Sequence, residues 1–222
     1  MKKFERIEET ASPDGTPLTL YRHDGAYYLH AAGVELMSTR RHHSEERLAG
    51  LVCQSLTETP EAQLLIGGLG FAFTLRAALT LLRPDASVLV VELLEAVIRW
   101  NRDPGLGLGA AALEDPRVTL LHDDVANVLA SSPARFHGIT LDVDNGTDAL
   151  TSARNARLYH DQGIRTAAAA LRAGGSLAYW SADADPRLAA ALRRAGLDVE
   201  ETVARAYAGG GARHYLYLAR RR

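Results

Sequence analysis

Apolar and polar positions sort this chain into two regimes. Up to Met37 the pattern is that of short strands broken by turn residues. Thr16 to Tyr21 is rich in β formers, Asp24-Gly25 is a hairpin signal, and Ala26 to His30 follows as a partner strand. A third short strand is expected from Val34 to Met37. Residues 1–37 thus predict a small N-terminal β-hairpin appendage, and 38–222 the main domain. Ser38 or Ser44 is expected to cap a helix running to about Leu56, with Glu45 and Glu46 suited to its first turn. Thr57 to Glu61 reads as a loop.

From Gln63 onward strand and helix patterns alternate. Strands are predicted at Gln63–Gly67, Ser87–Leu93, Val118–Leu121, Gly138–Val143 and Ser176–Trp180. Helices are predicted at Phe71–Leu82, Glu95–Asn101, Val125–Ala130, Asn155–Arg172 and Pro186–Arg194, with a glycine-rich loop at Pro104–Gly109. Val199–Tyr207 and His214–Ala219 form a closing strand pair around Gly209-Gly210-Gly211. Strands separated by helices build βαβ units, so an α/β fold with a mainly parallel sheet and helices on both faces is expected. The closing pair, with no helix between its members, predicts one antiparallel strand.

Length and composition narrow the class. The 222 residues suit one domain plus an appendage. Hydrophobic residues at 47% and charged residues at 23% exclude wholesale disorder. The formal net charge of −2 provides no basic field for nucleic acid. No stretch approaches the ~18 apolar residues of a membrane span. Met1 to Thr10 alternates in charge and lacks the apolar core of a secretory signal, so a cytoplasmic protein is expected. The single cysteine, Cys53, lies in the apolar run Leu51-Val52-Cys53 and reads as a buried small hydrophobe. No cluster has metal-ligand spacing; His42 and His43 are adjacent and point apart.

The candidate chemistry sits at strand ends. Leu64-Leu65-Ile66-Gly67-Gly68-Leu69-Gly70-Phe71 is a strand running through glycines into a helix. Gly67, Gly68 and Gly70 either admit a ligand to backbone N–H groups or serve a tight strand–helix turn. No Gly-Lys-Ser/Thr follows, so it is not a phosphate loop. Glu92 ends the next strand, where a carboxylate either accepts two ribose hydroxyls or is simply solvated. His122-Asp123-Asp124 follows the third strand; one Asp can face a purine amino group while the other caps the next helix. Leu141-Asp142-Val143-Asp144-Asn145-Gly146 ends the fourth, with Asp142 and Asp144 on one side of the chain and Asn145-Gly146 suited to a turn. Four carboxylates at successive strand ends suit a cationic ligand better than a phosphate-rich dinucleotide.

In this order and spacing, Gly67-Gly68-Leu69-Gly70, Glu92, Asp123 and Asp142-Val143-Asp144-Asn145-Gly146 resemble the spermidine synthases, over about residues 16–200. Leu158-Tyr159 and Gly174-Gly175-Ser176-Leu177 fit as well. The resemblance implies a Rossmann-like class I methyltransferase fold with a seven-stranded sheet, and a homodimer through the N-terminal strands. It implies S-adenosylmethionine or its decarboxylated form as donor, with no metal. Glu92 would hold the ribose and Asp123 the adenine, while Asp142 or Asp144 would help deprotonate an attacking amine. Asn145, Tyr159 and Glu35 would bind substrate. The chain also departs from the family pattern. Leu69-Gly70-Phe71 lacks the family's loop Asp, the second catalytic-loop Asp falls at Asn145 unless Asp144 substitutes, and the family's Tyr-His pair falls at Ser44-Glu45. The nucleoside half of the site is retained and the aminopropyl half is not.

The expected activity is transfer of an aminopropyl group to a small amine, with methyl transfer or nucleoside binding without catalysis as the alternatives. The remaining marked residues have structural readings: Arg40, Arg41, His42 and His43 as a solvated helix start, Tyr179 and Trp180 as core.

Overall fold

The computed structural model describes residues 3–143 and 155–222. It opens with a four-stranded antiparallel sheet in the order β1 (Glu5–Ala11), β2 (Pro17–His23), β3 (Ala26–Ala31), β4 (Val34–Ser38). The appendage is thus a sheet built around the expected hairpin. Its additional strand, β1, comes from the charged stretch in which no strand was expected. Arg22 pairs across the strands with Glu5 at 2.8 Å, and Glu8 receives Arg99 and the Trp100 indole N–H at 2.6 and 2.7 Å. Those charges are what an edge strand exposes. Leu18, Leu20, Leu29 and Ala31 face inward and join the core beneath.

The second sheet has seven strands in the order β10-β11-β9-β8-β5-β6-β7. These are β5 (Gln63–Gly67), β6 (Ser87–Glu92), β7 (Val118–His122), β8 (Phe136–Leu141), β9 (Leu171–Ser181), β10 (Leu197–Tyr207) and β11 (Gly210–Arg221). Among the described strands of this sheet only β11 runs antiparallel to its neighbours. Both faces are buried, and the alternation along each strand divides the core. Leu64, Ile66, Val88, Val90, Ala178 and Trp180 face α1 (His43–Cys53), α2 (Phe73–Leu81) and the N-terminal sheet. Leu65, Val91, Ile139, Leu141, Leu177 and Tyr179 face the opposite core. That second core is closed by α5 (Val125–Ala130), α6 (Asp161–Ala170) and α7 (Pro186–Arg194). This is a Rossmann-like methyltransferase fold. α3 (Glu95–Arg102) and the short α4 (Ala110–Leu113) complete the helices among the described residues. Cys53 is buried, and burial pushes its thiol pKa up to about 12, so it behaves as a small hydrophobe.

Local chemistry explains most boundaries. α7 starts with Pro186 at its first position and with Asp185 accepting the N–H groups of Arg187 and Leu188 at 2.9 and 3.0 Å. Two expectations need correction. Neither Ser38 nor Ser44 caps α1, which has no side-chain cap; Ser44 is fully buried, with its hydroxyl engaged by Glu45, Trp180 and His214. The helix expected over Asn155–Arg172 is instead a 3-10 turn at Asn155–Tyr159 followed by α6. It breaks at His160, whose backbone is extended, and Leu171 leaves the helix to pair with Phe136. The alanine run favours helix, but buried Leu171 gains more from joining the sheet.

Candidate active site

Parallel register aligns the carboxyl ends of the central strands. Gly67 stands beside both Val91 and Leu141, and Glu92 beside His122. The residue after each end therefore projects over one crevice, where ligands bind in open α/β sheets. A cavity with about 1000 Å³ of atom-free space, counted to its mouth, occupies that position. Gly68, Gly70, Glu92, Asp123, Asp142 and Trp180 all line it. Its walls are apolar, with Leu94, Val97 and Val125 among them.

The glycines have distinct reasons. A Cβ on Gly68 would lie 2.1 Å from the backbone oxygen of Asp142, and its φ of +91° is a glycine conformation. At Gly67 a Cβ would meet Leu141 at 2.7 Å and Val125 at 3.0 Å. These two let β5 and β8 end in close contact, with Asp142 N–H donating to the Gly67 carbonyl at 3.0 Å. Gly70 has φ +51° and a Cβ there would meet Met37 Sδ at an ordinary 3.5 Å, so it serves the turn.

Glu92 organises this loop. It is 7% exposed, and its two carboxylate oxygens accept the backbone N–H groups of Leu69 and Leu94, each at 2.8 Å. Burial pushes its pKa up, and these N–H groups pull it back down. The N–H groups of Gly70 and Leu93 also act on it, so the carboxylate sits in a nest of four backbone N–H groups. The two Asp residues after β7 divide their work. Asp124 caps α5 through the Ala126 N–H at 2.9 Å and pairs with Arg157 at 2.5 Å. Asp123 is partly exposed on the cavity, braced by Asn127 Nδ2 at 2.9 Å. Asp142 lines the cavity at the end of β8. Asp144 and Asn145 lie outside the described residues.

Two other candidates lie away from the cavity. Glu35, on β4, forms an ion pair with Arg41, while its strand neighbours Leu36, Met37 and Ser38 line the cavity. Tyr159 is buried in the second core, its hydroxyl donating to the Trp180 carbonyl at 3.3 Å and its ring tilted against Tyr179. It therefore supports the strand that carries Trp180. At the start of α1 the two arginines are paired, Arg40 with Asp24 at 3.2 Å and Arg41 with Glu35, and His42 Nδ1 lies 2.9 Å from a Glu46 carboxylate oxygen.

Asn101 and Glu45 were not singled out as ligand contacts or supports, and Trp180, expected as core, both joins the core and lines the cavity. Asn101, fully buried, donates to the carbonyls of Gly70 and Val97 at 2.7 and 2.8 Å and so ties the glycine loop to α3. Its signal was an asparagine within a helix, a poor position for it without a partner. Glu45 and Trp180 line the wall next to β9, joined through Ser44. Burial pushes the Glu45 pKa up, opposed by the Ser44 hydroxyl.

No family model and no curated protein matches the chain. Solved structures do. A spermidine synthase in complex with the transition-state analogue AdoDATO aligns with a TM-score of 0.74 over 98% of this chain and 72% of its own, at 16% identity. The Thermotoga maritima spermidine synthase gives 0.74 over 98% and 73%, also at 16% identity. This chain has the spermidine synthase fold. A probable spermidine synthase from Corynebacterium glutamicum shares that fold at a TM-score of 0.64, with 17% identity over 97% of this chain and 79% of its own. The spermidine synthase fold accounts for both sheets, since the aligned span takes in nearly the whole chain. Among the described residues, no group of three or more His, Cys, Asp and Glu is placed to hold a metal, and no helix is long and apolar enough to cross a membrane.

Proposed function

We propose that this protein transfers an alkyl group, by its fold an aminopropyl group, from an adenosyl sulfonium donor to a small amine. The observation that carries the reading is the convergence of Glu92, Asp123 and Asp142, from three different strand ends, on one apolar-walled cavity. The donor fits this set of residues. Glu92 lines the cavity where ribose hydroxyls would approach, Asp123 can accept from a purine amino group, and Leu94, Val97 and Val125 offer apolar surface to the base. A sulfonium is positively charged, and the cavity carboxylates complement it. The AdoDATO complex of a fold relative supports a donor of this kind.

Asp142 has the role of base. An alkylammonium of pKa ~10 has no lone pair at neutral pH. A carboxylate at the end of β8 attracts the cation and takes its proton. The freed nitrogen then forms the C–N bond to the carbon next to sulfur. The C–S bond breaks with its electron pair on sulfur, leaving a neutral thioether. Much of the rate comes from holding the two reactants in line. Loss of the family's loop Asp weakens the case for an aminopropyl donor over a methyl donor, and product analysis tests the difference. Methylthioadenosine from decarboxylated S-adenosylmethionine and an amine supports aminopropyl transfer. S-adenosylhomocysteine from S-adenosylmethionine would replace it with methyl transfer. Donor binding without turnover on any amine would leave a nucleoside-binding protein. The working unit is proposed to be a cytoplasmic homodimer.

A further inference from the structure

The strand order sets the axis of the cavity. Asp123 follows β7 at one end, Asp142 follows β8, and Trp180 on β9 stands at the other end. With the nucleoside assigned to the β6–β7 side, the β9 end is left for the amine. The residues there form an ordered polar set in which Ser44 is the hub.

Ser44 is fully buried, and its Oγ has three partners. It donates to Glu45 Oε2, receives the Trp180 indole N–H at 3.1 Å, and lies 2.8 Å from His214 Nδ1. A hydroxyl has one hydrogen to give and two lone pairs. An ionised Glu45 can only accept, and the indole can only donate. The remaining lone pair must therefore accept from His214, whose proton is placed on Nδ1. Burial and nearby Arg41 lower the His214 pKa, which agrees with a neutral ring. Trp180 and His214 also pack edge to face, with ring centroids 4.7 Å apart. Every hydrogen bond at the hub runs toward Glu45. The hub fixes one carboxylate oxygen of a residue that lines the cavity.

On this basis we infer that Glu45 is a cation-binding residue for the amine substrate, with Ser44 as its positioning residue. The inference rests on the proposed function for its division of the cavity. The sequence offered Glu45 as a first-turn residue of a helix and, through the resemblance, as a departure from the family's Tyr-His pair, with no ligand assigned to it.

The test is calorimetric binding to protein saturated with methylthioadenosine, using 1,4-diaminobutane as the cationic probe and 1,4-butanediol as its uncharged counterpart. The wild type is expected to prefer the diamine. Glu45→Gln keeps the shape and removes the charge, so diamine affinity should fall roughly tenfold to a hundredfold, as for a lost charge-assisted hydrogen bond. Diol binding and methylthioadenosine binding should not change. Ser44→Ala should reduce the diamine-to-diol ratio in the same direction, which a general loss of stability would not do. Equal diamine affinity in wild type and Glu45→Gln overturns the inference, as does a wild type that does not distinguish diamine from diol. A transfer assay on the wild type separates the two claims. Turnover with an unchanged Glu45→Gln rejects the role of Glu45 alone, and charge-selective binding without turnover rejects the transfer reaction alone.

Discussion

The Glu92 carboxylate accepts the Leu69 backbone N–H at 2.8 Å, tying the end of β6 to the glycine loop that follows β5. The same side chain that faces the cavity therefore also shapes its floor. A strand-end carboxylate in a Rossmann-like sheet is usually considered for its ligand alone. Here removal of Glu92 also leaves two buried N–H groups, those of Leu69 and Leu94, without their acceptor.

Glu92→Ala should accordingly have two effects. Folding stability should fall by roughly 1–3 kcal/mol for the groups left unpaired, measured by denaturant unfolding. Donor affinity should fall well over tenfold by calorimetry, because charge-assisted bonds to ribose are worth about 1.5–3 kcal/mol each. Unchanged donor affinity in a folded Glu92→Ala protein would remove Glu92 from the ligand contacts and leave it the structural role alone.

Gly68→Ala tests the close approach of β5 and β8. The new methyl carbon would lie 2.1 Å from the Asp142 carbonyl oxygen, at a backbone φ of +91°. Backbone must move, and the part that moves carries Asp142. The variant should be destabilised by roughly 1–3 kcal/mol or more, and should lose donor binding and turnover together. Gly70→Ala is the contrast, since its Cβ would meet Met37 Sδ at 3.5 Å. It should pay only the turn's conformational strain. If the two variants behave alike, packing against Asp142 is not what Gly68 provides.

How much of this was legible beforehand follows from which forces act locally. The strand-end positions of Glu92, Asp123 and Asp142 were readable because the βαβ period places every strand terminus on one edge. That one carboxylate of Asp123-Asp124 can cap the next helix was readable too, and the structure gives that cap to Asp124. β1 was hidden because an edge strand with ion pairs on its exposed face has no apolar alternation to show. Asn101 and Ser44 were hidden for a different reason. Their partners, Gly70 and His214, lie 31 and 170 residues away in the chain, and a buried polar residue has meaning only through its partner. The break in the helix at His160 depends on Leu171 being needed by the sheet, which no helical propensity records.

Asp115 gives a pH signature away from the site. Hydrogen bonds from the Arg117 side chain and backbone hold its carboxyl pKa down at about 2, below the ordinary 3.8. The same guanidinium donates to the carbonyls of Leu82 and Leu79, closing the end of α2 against the start of β7. A carboxyl whose folded pKa is depressed contributes stability above its unfolded pKa and loses it as pH falls through the folded value. The contribution should therefore be complete above about pH 4 and gone by about pH 2. Chemical denaturation of Asp115→Asn across that window should show a shallower acid limb than the wild type. An identical limb would mean that Arg117 works through the carbonyls alone.

The outer face of the N-terminal sheet bears on assembly. Phe4, 46% exposed, stacks on His23 at 4.3 Å and meets Tyr28 at 5.2 Å, and Tyr21 meets His30 at 5.0 Å. A continuous aromatic face on a small sheet suits contact with a second copy. Light scattering at micromolar concentration should give the mass of a dimer, and Tyr28→Glu should shift it toward the monomer. A monomeric wild type would refute the proposed homodimer.

Asp142 carries the chemical claim. Its backbone is anchored on both counts that matter: its N–H donates to the Gly67 carbonyl at 3.0 Å, and Leu141 before it is fully buried. The residue lines the cavity. Asp142→Asn preserves size and hydrogen-bonding capacity while removing the charge and most of the basicity. A general base contributes about 10²–10⁴-fold to rate, so turnover should fall by that order with donor affinity nearly unchanged. Asp144 is the competing base. If Asp144→Asn abolishes turnover and Asp142→Asn does not, the proton goes to Asp144. If neither substitution slows turnover in a protein that still binds donor, no carboxylate of this loop accepts the proton. An amine-transfer mechanism with a base at the end of β8 is then excluded.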